Sequence, residues 1–383
     1  MIRHALVLGT AALALGTGGA SGAGGAAAVL ALTGPVKELA ADGGRVAILL
    51  QTSRPRCTRD RVAVWAPSPR TLVPIAAAPC SQSLSTGAGY YSVALAGTRV
   101  AFVAFVGGNR RELRLRLATL AKPRPVTAAS ASFSLDEAAG TYIGRVAGRG
   151  SQLAFDWWSV CLPCAQASPI GARSSVWRIV PSGAACPQAG LGTLPRCQLV
   201  VTRPGALRLL AVGSGLLALR ATDGSLVLTT PAGAVRATIP FPPGQLRAAR
   251  IDGNGRTVVA LVSASGRNTL RVFDPNGTPG ATLPLPATKT AGDGACVDPT
   301  GCLIPALRLE DLQSGLAVYV VGRDVHVLRL ADGHEVRIRT PGSSSVHAQL
   351  EAPGLFYSYR PATGPGLARV AFLPFASLLA RFG

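Results

Sequence analysis

Cys161-Leu162-Pro163-Cys164 has the spacing of a redox dithiol or of half a zinc site. Redox pairs of this kind sit at a helix N-terminus, which lowers the thiol pKa; here the pair follows Asp156-Trp157-Trp158 in a strand-and-loop context. Cys186 and Cys197 could complete a four-cysteine zinc set, but thiols in an exported protein favour oxidation to disulfides. Beyond the N-terminal segment the histidines are His326, His334 and His347, and the first two, flanked by Arg and Val on outer strands, are expected on a solvated surface. No Gly-x-Ser-x-Gly elbow, HExxH or paired-histidine spacing occurs. Asp252-Gly253-Asn254-Gly255 and Asp274-Pro275-Asn276-Gly277 resemble calcium loops but lack the further carboxylates that a hard cation needs, and are read as turns. No catalytic residue, metal site or cofactor is expected.

The elements that must position any site come from an internal repeat of about forty to sixty residues. Each copy carries an apolar strand core after a Gly-rich turn. Arg45-Val46-Ala47-Ile48, Arg99-Val100-Ala101-Phe102, Gln152-Leu153-Ala154-Phe155, Leu216-Leu217-Ala218-Leu219, Val258-Val259-Ala260-Leu261, Gly315-Leu316-Ala317-Val318 and Gly354-Leu355-Phe356-Tyr357 align with one another. Short strands at this period predict an all-β fold, a single β-propeller of seven four-stranded blades. Blade boundaries fall near 35–89, 90–139, 140–205, 206–244, 245–286, 287–344 and 345 to the end, within one propeller domain over 27–383. The last copy is short of an outer strand and the apolar run 27–33 has no blade of its own, so this N-terminal strand is expected to complete the last blade and close the ring. The tail 374–383 has the pattern of a short amphipathic helix packed on that ring.

Met1-Ile2-Arg3-His4, an apolar run over 5–15 and a Gly/Ala/Ser stretch over 16–28 fit a signal peptide of residues 1–23, with an uncleaved membrane anchor as the alternative. The eight cysteines suit that secreted or envelope-associated address. Cys57 with Cys80 would tie the first blade to its own end, and Cys296 with Cys302 would close the turn at Asp298-Pro299-Thr300-Gly301. Cys161, Cys164, Cys186 and Cys197 belong to a loop-rich insertion of the third blade, about 159–196. There, nested pairs (Cys164 with Cys186, Cys161 with Cys197) compete with two local pairs.

The formal net charge is +20, carried almost wholly by arginine, with Lys37, Lys122 and Lys289 the only lysines. Such a charge draws the protein toward anionic surfaces, whether envelope polymers or acidic lipids. No aromatic-plus-basic recognition motif argues for nucleic acid. Counting back about nine or ten residues from each aligned core, with a one-residue slip at Arg208 and Arg250, gives Glu38, Ser92, Arg145, Arg208, Arg250, Arg308 and His347, on strands that would border the axis. Arg145, Arg208, Arg250, Arg308 and His347 are thus candidates for a cationic ring that binds an anionic ligand by charge-assisted hydrogen bonds. The alternative is that they are solvated or inter-blade arginines in an Arg-rich chain.

Residues 250–286 add a resemblance. Ile251-Asp252-Gly253-Asn254-Gly255-Arg256-Thr257-Val258-Val259-Ala260-Leu261, followed by Thr269-Leu270-Arg271-Val272-Phe273-Asp274, is similar to TolB-type WD-like propeller repeats. In that family a Ser-Pro-Asp-Gly turn enters the second strand and an Asp closes the third. Asp42-Gly43 and Ala96-Gly97 stand here where the full turn would be. The resemblance implies a propeller with a periplasmic or extracellular binding role and implies no reaction. The expected function is an exported, monomeric, non-enzymatic scaffold that binds a protein or an anionic envelope component, with Trp157, Trp158 and Trp177 beside the insertion as contact candidates. The competing reading is a propeller enzyme, a lyase or sugar-acting protein, that brings His347 together with Glu351 or Glu38 in the channel.

Overall fold

The computed structural model describes residues 28–54, 57–80, 87–134, 136–137, 139–161, 173–188, 196–287, 307–341, 346–361 and 367–383. The proposed signal peptide, much of the third-repeat insertion, and Cys164, Cys296 and Cys302 lie outside them. Almost all regular structure of the described residues is β-strand, as the repeated runs of Val, Leu and Ala between Gly-rich turns require. After β1 (Ala28–Ala31), the first repeat folds as β2 (Val36–Asp42), β3 (Arg45–Arg54), β4 (Cys57–Ala66) and β5 (Thr71–Ala77). Gly43 and Gly44, at φ 58° and 73°, supply the two left-handed residues of the β2–β3 hairpin, whose register closes on Asp42 opposite Arg45.

The second repeat holds β6 (Ala88–Ala96), β7 (Arg99–Val106), β8 (Arg110–Thr119) and β9 (Lys122–Ser134). The third holds β10 (Ala139–Arg149), β11 (Gln152–Cys161), β12 (Arg173–Val180), the two-residue β13 (Ala184–Ala185) and β14 (Arg196–Pro204). Then come β15 (Leu207–Gly213), β16 (Leu216–Ala221), β17 (Leu226–Thr229) and β18 (Val235–Ile239), and next β19 (Leu246–Ile251), β20 (Val258–Ala264), β21 (Arg267–Phe273) and β22 (Pro279–Leu285). The sixth repeat is β23 (Leu307–Gln313), β24 (Leu316–Val321), β25 (Asp324–Arg329) and β26 (Glu335–Arg339). The last is β27 (Ala348–Glu351), β28 (Gly354–Tyr359) and β29 (Arg369–Pro374), before the helix α1 (Phe375–Leu379).

Pairing within each repeat is antiparallel and sequential. β1 lies beside β29, with Ala28 opposite Phe372 and Ala31 opposite Arg369, so the sheet of the last repeat takes its fourth strand from the N-terminal end of the described chain. The sheets number six among the described residues, and none closes on itself. Six rather than seven arise because β9 and β10 pair over two positions, Ser134 with Ala139 and Phe133 with Gly140, which merges the second and third repeats into one nine-stranded sheet. The first strands lie side by side in cyclic order: β2 with β6, β6 with β10, β10 with β15, β15 with β19, β19 with β23, β23 with β27, and β27 with β2.

Burial follows from this stacking. Second strands are covered on both faces, so Val46, Ala47, Ile48 and Leu49, or Val258 to Leu261, are buried without alternation. β8 shows the opposite pattern: Glu112 and Arg114 are exposed while Leu113 and Leu115 are buried. Apolar clusters lie between neighbouring sheets, as where Val318, Val325 and Val327 meet Leu350, Leu355 and Tyr357. α1 and the 3₁₀ turn Ala380–Phe382 bury Leu378 and Phe382 in that same cluster.

Two disulfides are described. Cys57–Cys80 ties the start of β4 to the segment after β5, and Cys186–Cys197 is a local pair that excludes the nested alternative. One histidine departs from expectation. His326 is buried rather than solvated: its ring stacks on Tyr319 at 4.7 Å, and Nδ1 lies 2.6 Å from Glu335 Oε1. A β-strand's outward position is dry wherever a bulky neighbour covers it, and alternation alone does not show this. His334 remains exposed.

Removing residues 28–32 should uncover the edge of β29 and lose the buried Leu32 side chain together with the bond from Leu32 N–H to Ala368 O. At ~1.5–3 kcal/mol for the side chain and about 1 kcal/mol per net hydrogen bond, the urea midpoint should fall clearly. An unchanged midpoint would show that β1 is dispensable.

Candidate functional site: the axial channel

A bulge interrupts the pairing of β2, β6, β10, β15, β19 and β23 with their second strands. A bulge turns side chains toward the axis and leaves backbone N–H groups without ladder partners. The neighbouring repeat supplies acceptors. Val93 N–H donates to Glu38 Oε2 at 3.0 Å, Val146 N–H to Ser92 Oγ at 2.9 Å and Leu209 N–H to Asp156 Oδ2 at 3.1 Å; on β27, whose pairing is unbulged, Leu350 N–H donates to Asp311 Oδ2 at 2.9 Å. Hairpin glycines are held likewise: Asp42 accepts from Gly97 N–H and from Gly150 N–H, and Asp252 Oδ2 from Gly315 N–H at 3.1 Å. The Asp252 turn therefore does more than bend the chain; it ties two repeats together.

First strands of all seven repeats line one cavity of about 60 Å³, bordered among others by Glu38, Arg145, Arg149, Arg250, Glu310, Asp311 and Gln349. That space suits a few water molecules and is far too small for a drug-sized ligand. Its charged walls are balanced, three arginines against three carboxylates. One residue before the position opposite the last residue of each second-strand core, a layer contains Glu38, Ser92, Arg145, Arg208, Arg247, Glu310 and His347. Arg145, Arg208 and His347 of the anticipated ring belong to this layer. Arg250 and Arg308 sit at other levels of their strands, opposite Val259 and Val320.

Most of these cations are already engaged. Arg250 donates through Nε to Glu310 O at 2.6 Å and through Nη1 to Ala249 O at 2.8 Å; burial, and then the Arg145 charge, lower it to about 10. Arg308 Nε meets Glu310 Oε1 at 2.8 Å and its Nη2 donates to Val346 O. His347 Nδ1 lies 3.9 Å from the same Glu310 oxygen, and burial lowers its pKa, favouring the neutral ring. Arg145 makes no side-chain hydrogen bond to a described residue and faces Glu38 and Arg250 electrostatically. Arg208 stacks on Trp158, its guanidinium carbon 3.9 Å from the ring centroid.

Residues that the sequence reading passed over dominate the hairpin end of the channel. Arg149, the last residue of β10, crosses from the third repeat to the sixth and seventh. Its Nη1 lies 3.1 Å from Asp311 Oδ1 and its Nη2 2.8 Å from Glu351 Oε1; Nη2 also donates to Gln313 Oε1 and to Leu350 O. Burial pushes the Glu351 carboxyl up to about 8, against the pull of Arg149 and with Asp311 and Asp42 adding negative charge. The only sequence signal was an Arg-Gly pair at a hairpin where other repeats place Asp-Gly.

Of the enzyme alternative's residues, His347 precedes β27 and Glu351 ends it, about 13 Å apart at 3.3 Å per residue of extended chain, and Glu38 accepts from Val93 N–H. The tryptophans are packing residues. Trp158 is buried, while Trp157 and Trp177 lean on the same core and donate through Nε1 to Ser130 O at 3.3 Å and Ser175 Oγ at 2.7 Å.

No known family model matches the sequence, and neither does any curated protein. Among solved structures the chain is similar to the acylaminoacyl peptidase of Pyrococcus horikoshii, at 9% identity and TM-score 0.52 over 91% of this chain and 53% of that one. It also matches a β-propeller domain from Myceliophteria thermophila, at 10% identity and TM-score 0.49 over 91% and 99%. TolB from Acinetobacter baumannii matches at 13% identity and TM-score 0.39 over 66% and 55%. The chain spans about half the length of the TolB and peptidase chains that it matches. At these identities the likeness concerns fold alone: the molecule is an all-β protein with propeller-like neighbours.

Replacing Arg149 by Met would leave Asp311 buried without its cation and should destabilise the fold by ~3 kcal/mol, read from urea midpoints. Glu351→Gln should be much milder at neutral pH, since the native carboxyl titrates only near 8. Between its ordinary 4.5 and about 8 the native state keeps a proton that the unfolded chain has released, so this group makes stability fall as pH rises across that window. Denaturation series at several pH values should show that slope in the wild type and a flatter one in Glu351→Gln.

Proposed function

We propose that the chain is an exported, seven-bladed, non-enzymatic β-propeller, closed by β1, that binds a protein partner or an anionic envelope component on its basic outer surface. The observation that carries this reading is the channel itself. Its charges are matched internally, Arg149 spans it, and about 60 Å³ of space remains, so the axis serves as a strut and contact with other molecules falls to the faces. Of the anticipated ligand set Arg145, Arg208, Arg250, Arg308 and His347, the best placed for an outside anion is Arg208, whose guanidinium group makes no hydrogen bond to a described residue and does not line the axial cavity. Export is supported by the Cys57–Cys80 and Cys186–Cys197 disulfides and by the N-terminal sequence pattern.

The purified protein without residues 1–23, applied to isolated envelope fractions across a salt gradient, tests the function. Salt-resistant retention of the protein on one defined component is the expected outcome. Uniform loss of retention at moderate salt would reduce the surface to a non-specific polyanion binder.

A further inference from the structure

Arg59 points its guanidinium group at a disulfide. Its Nη2 donates to Cys80 Sγ at 3.4 Å, within reach of the large sulfur atom, and Cys80 is bonded to Cys57, two residues before Arg59 on β4. The same side chain carries a donor without an acceptor: Arg59 Nε is buried and has no hydrogen-bond partner among the described residues. The adjacent carboxylate is turned elsewhere. Asp60 Oδ2 accepts from Lys37 Nζ at 2.9 Å and from Tyr90 N–H at 2.8 Å, and its side chain leaves β4 on the opposite face. Arg61, on the same face of β4 as Arg59, has a second buried Nε without a partner. Cys80 is exposed and Cys57 half-buried, so the bridge is open to small solutes. The Cys186–Cys197 bridge differs, since its residues are only 3% and 1% exposed and lie in an apolar cluster.

We infer that the Cys57–Cys80 disulfide is a site of reversible thiolation, opened by a small-molecule thiol that becomes bonded to Cys57 while Cys80 leaves as a thiolate. In thiol–disulfide exchange the sulfur that leaves faster is the one whose negative charge is better stabilised. Arg59 stabilises charge on Cys80, and a partly buried guanidinium gains a counter-ion when the bond opens. The step balances. The incoming thiol gives its proton to solvent, its sulfur forms a new S–S bond to Cys57 Sγ, and the Cys57–Cys80 bond breaks with both electrons going to Cys80. One disulfide replaces another and no oxidant is consumed. Return attack by Cys80 expels the small thiol and restores the bridge. The fold need not open for this. β5 stays paired with β4 from Arg61 opposite Ala77 to Ala66 opposite Thr71, Ile75 and Ala78 stay buried, and Ala78 N–H donates to Asp60 O at 2.9 Å. The positive charge of Arg59 and Arg61 favours a thiol that is itself anionic.

Glutathione, an anionic monothiol, is the probe. The oxidised protein is held with it at millimolar concentration near neutral pH, quenched with acid, alkylated and mapped by mass spectrometry. The expected product carries glutathione on Cys57 and the alkyl group on Cys80, and it forms while Cys186–Cys197 is intact. Arg59→Gln should slow its formation by about threefold to tenfold, and Arg59→Lys should restore most of the rate because the charge returns. Cys57→Ser leaves Cys80 as a free thiol whose alkylation rate can be followed against pH. Its midpoint should lie clearly below the ordinary thiol value of about 8.5, and move back toward that value in Cys57→Ser/Arg59→Gln. Should Arg59→Gln fail to fold, the Cys57→Ser titration alone decides. Glutathione found on Cys80, equal reaction of the two disulfides, a rate in folded Arg59→Gln that matches or exceeds the wild type, or an ordinary Cys80 titration would each overturn the site.

Discussion

The structure depends on the need to satisfy backbone N–H groups that bulged inner strands withdraw from their own sheets. A buried N–H without an acceptor costs a large part of a hydrogen bond in desolvation. Several such strands packed around one axis would carry that cost repeatedly. Glu38, Ser92 and Asp156 remove it at β6, β10 and β15 by reaching across to the next repeat, and Asp311 does the same for Leu350 on the unbulged β27, so each acceptor also fixes the spacing of two sheets. Apolar stacking alone would let neighbouring sheets slide, because interleaved Val, Leu and Ala faces are similar at every step. Directional bonds to bulges and hairpin glycines set one register.

Using carboxylates for this purpose has an electrostatic consequence. Burial raises the pKa of Glu38 and of Asp156, and the hydrogen bonds they accept lower it again, so their ionised forms depend on those contacts. At the hairpin end the same economy requires a cation, and Arg149 supplies it from the far side of the ring. One side chain then joins the third repeat to the sixth and seventh, which no run of neighbour-to-neighbour contacts achieves. The rigidity of the axis and its lack of free space have this common origin.

Much of the fold was legible in the sequence. Periodic cores such as Arg99-Val100-Ala101-Phe102 reveal buried second strands because coverage on both faces demands continuous apolar runs, and Asp-Gly and Gly-Gly pairs mark hairpins because left-handed backbone demands glycine. The unpartnered apolar run before the first repeat pointed to the strand that pairs with β29. The axial residues were much less legible. A bulge adds a residue without changing composition, so Arg250 and Arg308 were grouped with Arg145 although the pairing registers place them at other levels. Glu310, Asp311 and Arg149 had no periodic signal, since each acts once, across the ring, on a partner far away in the chain. His326 misled for a related reason: polarity predicts exposure only where no neighbour such as Tyr319 covers the position.

Charge placement ties these strands of argument together. Asp293 and Asp298 aside, which lie outside the described residues, eight of the remaining sixteen acidic residues are buried, while no lysine or arginine among the described residues is buried to that degree. Several of the buried acids, Asp42, Asp156 and Asp252 among them, spend their oxygens on backbone N–H groups rather than on surface cations. Some surface arginines keep carboxylates, Arg114 with Glu112 and Arg329 with Asp332, while Arg208 and Arg220 meet directly across one strand pair. The interior thus draws on the limited supply of acid to hold the sheets together, and the exposed surface is cationic in consequence. The carboxylates that set the register of the sheets thereby leave the arginines in excess, so the charge of the surface and the order of the interior follow from one allocation of acid.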